Sequence, residues 1–300
     1  MHADEVATSP ALVRRLLEAQ FPQWAALSIE RVASAGTDNT LFRIGSDMVV
    51  RLPRRDVDVE RLAKEQCWLP RLAPLLPLTV PVPLAEGRPG EGYPCIWTVY
   101  RWLHGETADR QALTDLTRAA TDLAGFLLAL RGIDPSGGPA PGAHNAFRGA
   151  PLGLRDDSTR AAIAALRDSV DADAATDVWD AALGAPEWDR RPVWIHGDLD
   201  ARNLLATNGC LSAVLDFGCL GVGDPACDVM VAWKMLSTST RTAFRHALAA
   251  DDATWARARG WALSQAVGAL SYYSLETNPI LVREAEQWLE EVLGDPGARA

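Results

Sequence analysis

His196, Gly197, Asp198 and Asn203 stand in one short stretch, and Leu215, Asp216, Phe217 and Gly218 follow it closely. Asn203 lies five residues after Asp198, and Asp216 thirteen after Asn203, each beside an apolar run. A carboxylate placed where a buried segment turns into a loop can accept a hydroxyl proton at a fixed angle. An amide oxygen and a second carboxylate are hard ligands that suit Mg²⁺, which completes its octahedron with phosphates and water. Phosphoryl transfer from a nucleotide needs these three functions together. Alone, Asp198 would read as a turn cap, and Asn203 and Asp216 as ordinary turn residues. Their joint spacing favours Asp198 as catalytic base and Asn203 with Asp216 as metal ligands. Arg202 reads as a loop-pairing charge, and Asp224 and Asp228 as braces of the catalytic loop, with Asp228 heading a helix as its N-cap.

The N-terminal third offers candidates for the nucleotide. Residues 34–40, with Ser34, Gly36, Thr37, Asp38 and Thr40, form a small polar loop whose N–H groups suit close approach to phosphates. A hairpin turn is equally rich in such residues. Asp38 would repel a phosphate, so its side chain is expected to bond the turn itself. Arg51 ends an apolar strand and can pair phosphates together with a carboxylate on the next helix. Glu65 is the best-placed partner and Glu60 the fallback; a solvent-exposed Arg51 is the competing reading. Arg101 and Leu103 lie in an extended link that can present backbone groups to a purine edge. His104 reads equally as a surface residue. Trp188, Trp233, Trp255, Trp261 and Trp288 fit helical core stripes.

Elements of two kinds must position these residues. Helical spacing covers residues 10–21 and 57–72, and β-like runs cover 28–32, 40–44, 47–52, 80–83 and 95–100. Beyond Trp102, helical patterns occupy 115–130, 158–170, 173–183, 228–236, 240–250, 252–273 and 278–293, with short β-like runs at 204–205 and 212–215. The expectation is an α+β, bilobal fold: a small antiparallel-sheet N-lobe with one inserted helix at 1–101, and a larger, mainly helical C-lobe at 102–300.

Composition narrows the function classes. The 300 residues carry a net charge of −10, mostly beyond residue 100, which disfavours nucleic acid and anionic membranes as partners. An acidic C-terminal part suits a cationic partner, although solvated helix faces explain such a surplus equally well. The start, Met1–His2–Ala3–Asp4–Glu5, lacks the basic and apolar regions of a secretory signal. No apolar run approaches membrane-span length. A cytoplasmic protein is expected. Five scattered cysteines, with no CxxC pair, read as free thiols. Only Lys64 and Lys234 are lysines among 29 basic residues.

His196, Gly197, Asp198 and Asn203, followed by Leu215, Asp216, Phe217 and Gly218, resemble the aminoglycoside phosphotransferase family of the protein-kinase-like superfamily. The resemblance covers nearly the whole chain, since loop, strand cation, helix Glu, hinge and both motifs occur in the expected order. It implies that Asp198 is the base, that Asn203 and Asp216 bind Mg²⁺, and that residues 34–40 cover ATP or GTP. It also implies that Arg101 and Leu103 meet the base through their backbones. Two positions depart from the common pattern: Arg51 stands where lysine is usual, a feature shared with branches that include macrolide phosphotransferases. Leu199–Asp200 replaces a frequent Leu–His and adds a carboxylate near the substrate mouth.

The resulting expectation is a Mg²⁺-dependent O-phosphotransferase acting on a small-molecule hydroxyl. The favoured acceptor is a cationic antibiotic of aminoglycoside type, or a macrolide. Alternatives are a metabolite kinase for an amino alcohol, amino acid or sugar amine, and a catalytically silent nucleotide-binding protein. A protein kinase is disfavoured, because no Ala-Pro-Glu segment follows Asp216. Monomer and homodimer both remain compatible with the sequence.

Overall fold

Ser9 accepts the Leu12 N–H at 3.2 Å and Pro10 follows it, so the first helix starts where sequence chemistry favours it. The computed structural model describes residues 6–33, 39–54, 59–108 and 113–295. The chain divides into two compact units, one of Met1–Gly105 with Ala213–Gly218, the other of Glu106–Ser212 with Cys219–Ala300.

The first unit contains α1 (Pro10–Gln20), β1 (Ile29–Arg31), β2 (Asn39–Ile44), β3 (Met48–Pro53), α2 (Val59–Leu72), β4 (Pro83–Gly87) and β5 (Trp97–Arg101). The strands form an antiparallel sheet of order β1-β2-β3-β5-β4. Ile44 pairs Met48 across a turn in which Gly45 has φ 58°, a conformation that glycine adopts without steric cost. Alternation sends Phe42, Ile44, Val50 and Leu52 inward, onto Leu12, Val13, Leu16 and Leu17 of α1. Thr40 shares that buried face. The strand expected at 80–83 is instead β4, because Thr79 makes only an isolated bridge to Ala213 and pairing with β5 begins at Pro83.

The second unit holds β6 (Glu106–Thr107), α3 (Leu116–Gly132), α4 (Asp156–Ala165), α5 (Ala172–Gly184), β7 (Val193–Ile195), β8 (Leu204–Thr207), β9 (Cys210–Val214) and β10 (Gly221–Gly223). The helices α6 (Ala226–Val229), α7 (Val231–Met235), α8 (Thr238–Leu248), α9 (Asp252–Tyr272) and α10 (Pro279–Leu293) complete it. β9 ends inside the first unit. Helix α9 is buried nearly all round by Trp261, Leu263, Ala266 and Val267, and α4, α5, α6 and α10 pack against it.

Three helix expectations need correction. The pattern at 158–170 ends at Ala165, where a tight turn follows. The pattern at 228–236 is two short helices that meet at Met230. Trp188 lies in a loop and donates its indole N–H to Arg191 at 3.1 Å. The fold is α+β, as the sequence pattern predicts, and all five cysteines are free thiols. No described helix is long and apolar enough to cross a membrane.

Candidate active site

Strand β7 is buried and delivers His196, Gly197 and Asp198 at its end. Asp228 holds this turn: its two carboxylate oxygens accept the His196 N–H at 2.8 Å and the Gly197 N–H at 2.7 Å. The sequence assigns Asp228 a bracing role, but it caps this distant turn and not its own helix, where it lies inside α6. Burial pushes the Asp228 carboxyl up, against the pull of His196 and the two backbone donors. Gly197 has φ 84°, and a Cβ there would lie 2.5 Å from the Cys219 carbonyl oxygen, so only glycine fits.

Asp198 leaves this braced turn with a side chain 37% exposed, open enough to meet a ligand. Asn203 donates its amide N–H to the Asp198 carbonyl at 2.8 Å, which fixes the amide and leaves its oxygen as the metal-ligand candidate. Asp200 accepts the Arg202 N–H at 2.9 Å and so caps the turn between the two. The sequence places the Asp200 carboxylate near a substrate mouth. The structure corrects this, because Asp200 is 4% exposed and pairs with Arg202 at 2.8 Å and with Lys234 at 3.6 Å. Burial pushes its pKa up, but Lys234 and Arg202 win and hold it below the usual carboxylate range. Arg202 is the pairing charge expected of it, and it also reaches Glu284 at 3.6 Å.

In the first unit, Arg51 on β3 meets Glu65 on α2 with Nη1 at 2.8 and 3.2 Å from the two carboxylate oxygens. Arg51 is thus paired, and Glu65 is its partner. The Glu60 side chain lies outside the described residues. The Tyr100 hydroxyl donates to Glu65 at 2.7 Å, so that a half-buried Arg51 and a buried Tyr100 share one buried carboxylate, a network that the sequence did not reveal. Burial lowers the Arg51 pKa, but the Glu65 and Asp216 carboxylates outweigh it and hold the guanidinium pKa above its ordinary value.

Asp216 stands 3.9 Å from Arg51 and has φ 57°, a left-handed backbone that is unusual for a residue other than glycine. Its carboxylate accepts the Gly218 N–H at 3.2 Å, which helps hold that conformation. The buried Lys64 donates to the Gly218 carbonyl at 2.8 Å, tying α2 to the same loop. Lys64 was also missed, since its only sequence signal was the rarity of lysine.

Of the other nucleotide-side candidates, Ser34, Gly36, Thr37 and Asp38 lie outside the described residues, and Thr40 is buried in β2. Arg101 ends β5 with an exposed side chain, and its N–H donates to Val82 at 3.3 Å. Leu103 follows, half-buried. Among the described residues no group of three or more His, Cys, Asp or Glu side chains gathers into a metal cage. Asn203 and Asp216 each offer a hard oxygen of the type that Mg²⁺ takes.

A model of the phosphotransferase enzyme family, APH, matches residues 29–261. Solved structures align over almost the whole chain. The GDP complex of wild-type aminoglycoside 2′-phosphotransferase-IIIa is 20% identical with a TM-score of 0.71, covering 96% of this chain and 99% of that one. The macrolide 2′-phosphotransferase MphH from Brachybacterium faecium is 23% identical with a TM-score of 0.60, covering 93% and 98%. The streptomycin–ATP–APH(2″)-IIa ternary complex is 18% identical with a TM-score of 0.59, covering 94% and 99%. The kinase-like fold is common to all. No curated protein sequence matches the chain.

Proposed function

The chain belongs to the APH phosphotransferase enzyme family and is a small-molecule kinase, and from that premise we propose that it moves the γ-phosphoryl group of ATP or GTP to a hydroxyl of a small molecule. The observation that carries this reading is the Asp198 turn, fixed from behind by Asp228 and from the side by Asn203. Asp198 orients the acceptor hydroxyl and takes its proton as the oxygen bonds to the γ-phosphorus. The bond to the β,γ-bridging oxygen breaks, and the nucleoside diphosphate leaves with that electron pair. Arg51, held by Glu65 and Tyr100, pairs phosphate oxygens. Asn203 and Asp216 are the residues that would hold Mg²⁺, which would supply neutralisation of phosphate charge. Residues 1–101 serve the nucleotide, with Ser34, Gly36 and Thr37 for the phosphates, Asp38 for the turn of that loop, and Arg101 and Leu103 at the base; Thr40, buried in β2, supports the loop from the core. Residues 102–300 serve the acceptor.

Structural neighbours that bind GDP, or ATP with streptomycin, support the nucleotide and make antibiotics the first acceptors to screen. Hydroxylated metabolites form the second group. Asp198→Ala tests the reading: phosphoryl transfer should vanish while the nucleotide-induced thermal shift stays nearly unchanged. Full turnover in that variant refutes Asp198 as base. Chelation of Mg²⁺ should likewise abolish transfer.

A further inference from the structure

Around Asp198 the second unit gathers cations. Arg148 Nη2 stands 3.8 Å from Asp198 Oδ1, and its side chain is only 13% exposed. Lys234 on α7 is buried, 3.6 Å from Asp200 and 4.4 Å from the centre of the Trp288 ring. Arg148 and Arg155 each face the Trp261 ring, at 5.7 and 5.2 Å from its centre. Burial and the charge of Arg148 together bring Arg155 down to about 10. Lys234 is also lowered, by burial first, with Arg148 and Arg202 acting against Asp200 and Asp198.

Of the carboxylates nearby, Asp200 is engaged with Arg202 and Lys234, and Glu284 with Arg202, while Asp198, at 3.8 Å from Arg148, lies outside hydrogen-bond distance and is open to the acceptor. The Gln265 amide oxygen cannot serve both inner cations. In one orientation it accepts from Lys234 at 3.3 Å; in the other it accepts from Arg148 Nη1 at 2.6 Å and Nη2 at 3.2 Å. Arg148 Nε is buried without a hydrogen-bond partner. Such a set of crowded cations is costly unless an anion joins it.

The backbone holds Arg148 in place at some expense. Ala146 and Phe147 before it both have left-handed φ, 52° and 57°, and Gly149 after it has φ 79°. The Asn145 amide donates to the Arg148 carbonyl at 3.2 Å, and the Gly149 carbonyl accepts the Asp224 N–H at 2.8 Å. Two successive non-glycine residues in that region persist only where their surroundings impose it.

We propose that the acceptor is a hydroxylated small molecule carrying a carboxylate close to the reacting hydroxyl, and that Arg148 is the specificity residue that grips it. The planar guanidinium matches a carboxylate through paired N–H bonds. With the hydroxyl in hydrogen-bond reach of Asp198, hydroxyl and carboxylate stand roughly 4–6 Å apart on the acceptor, a few bonds along its chain. A polycation would meet Arg148 with like charge. This inference rests on Asp198 being the base, and it selects hydroxy acids and hydroxylated amino acids over polycationic antibiotics.

The test uses the full chain, ATP or GTP with Mg²⁺, and three acceptor sets: hydroxycarboxylates, neutral polyols and polycationic aminocyclitols. Transfer is read as the phosphate mass increase on the acceptor. Hydroxycarboxylates should be phosphorylated first. Arg148→Gln should raise their KM at least tenfold with a smaller change in kcat, and collapse the preference over polyols; Arg148→Lys should recover part of it. Thermal melts confirm that both variants fold, and if Arg148→Gln does not, Arg148→Lys carries the same KM comparison. Three results overturn the inference: no transfer to any hydroxycarboxylate, preference for the polycations, or an Arg148→Gln loss confined to kcat and equal for every acceptor. The broader reading fails separately, by the absence of any nucleotide-dependent thermal shift together with the absence of transfer to all three sets.

Discussion

Replacing Asp228 by Asn tests whether the Asp198 turn is built by a residue far along the chain. Asp228 is fully buried, and each carboxylate oxygen accepts one backbone N–H, from His196 at 2.8 Å and Gly197 at 2.7 Å. Asn keeps one acceptor and turns a donor toward the other N–H. One charge-assisted bond, about 1.5–3 kcal/mol, is lost, and an unsatisfied buried N–H adds about 1–3 kcal/mol. The expected destabilisation is about 2.5–6 kcal/mol, a large part of the ~5–15 kcal/mol that holds most proteins together. Gly197 precedes Asp198 directly, so the base moves with the turn, and a displacement near 1 Å costs on the order of 10²-fold in rate. Urea unfolding gives the first quantity, and nucleoside-diphosphate release in the presence of acceptor gives the second. An unfolding free energy within about 0.5 kcal/mol of wild type, with a rate within twofold, would refute the brace.

Tyr100→Phe removes a 2.7 Å bond to the buried Glu65 and should cost about 1.5–3 kcal/mol in denaturant unfolding, with weaker nucleotide binding by calorimetry. Arg51→Met leaves Glu65 buried without its cation, so a loss of about 3–5 kcal/mol is expected; a melt unchanged from wild type would contradict the pairing. Asp200 has a folded pKa below its ordinary value of 3.8, so its stabilisation is fully present above about pH 4 and is lost as pH falls through the folded value. Asp200→Asn should therefore flatten the acid limb of the stability curve below that pH, and an unaltered limb would exclude Asp200 as its source. Gly197→Ala should cost about 2–4 kcal/mol by unfolding, through left-handed strain and contact with the Cys219 carbonyl.

Most elements were legible because their signals are local. The apolar spacing of Leu12, Leu16 and Leu17, the Gly45 turn, and the Asp115 and Asn278 caps of α3 and α10 are each decided within a few residues. Elements whose existence depends on a distant partner were displaced or missed. β4 takes its register from β5, β6 pairs β8, and β10 pairs β7. None of these short strands has a periodic pattern of its own.

The sequence by itself determined the residue types on which the proposed phosphoryl transfer rests: Asp198 with Asn203 in one loop, Asp216 beside Gly218, and a strand-end cation in Arg51. Those types and intervals lie within short stretches where the backbone alone fixes order and reach. The sequence also named Glu65 as partner of Arg51 and Asp228 as a brace. Only the tertiary structure decided that Tyr100 completes the Arg51–Glu65 pair and that both Asp228 oxygens reach the His196–Gly197 turn. It also decided that Asp200 is buried as a partner of Lys234, and that Arg148 stands against Asp198. Charge and hydrogen-bond partners act over a few ångströms of space whatever their separation along the chain, so pairings of that kind exist only once the chain has folded.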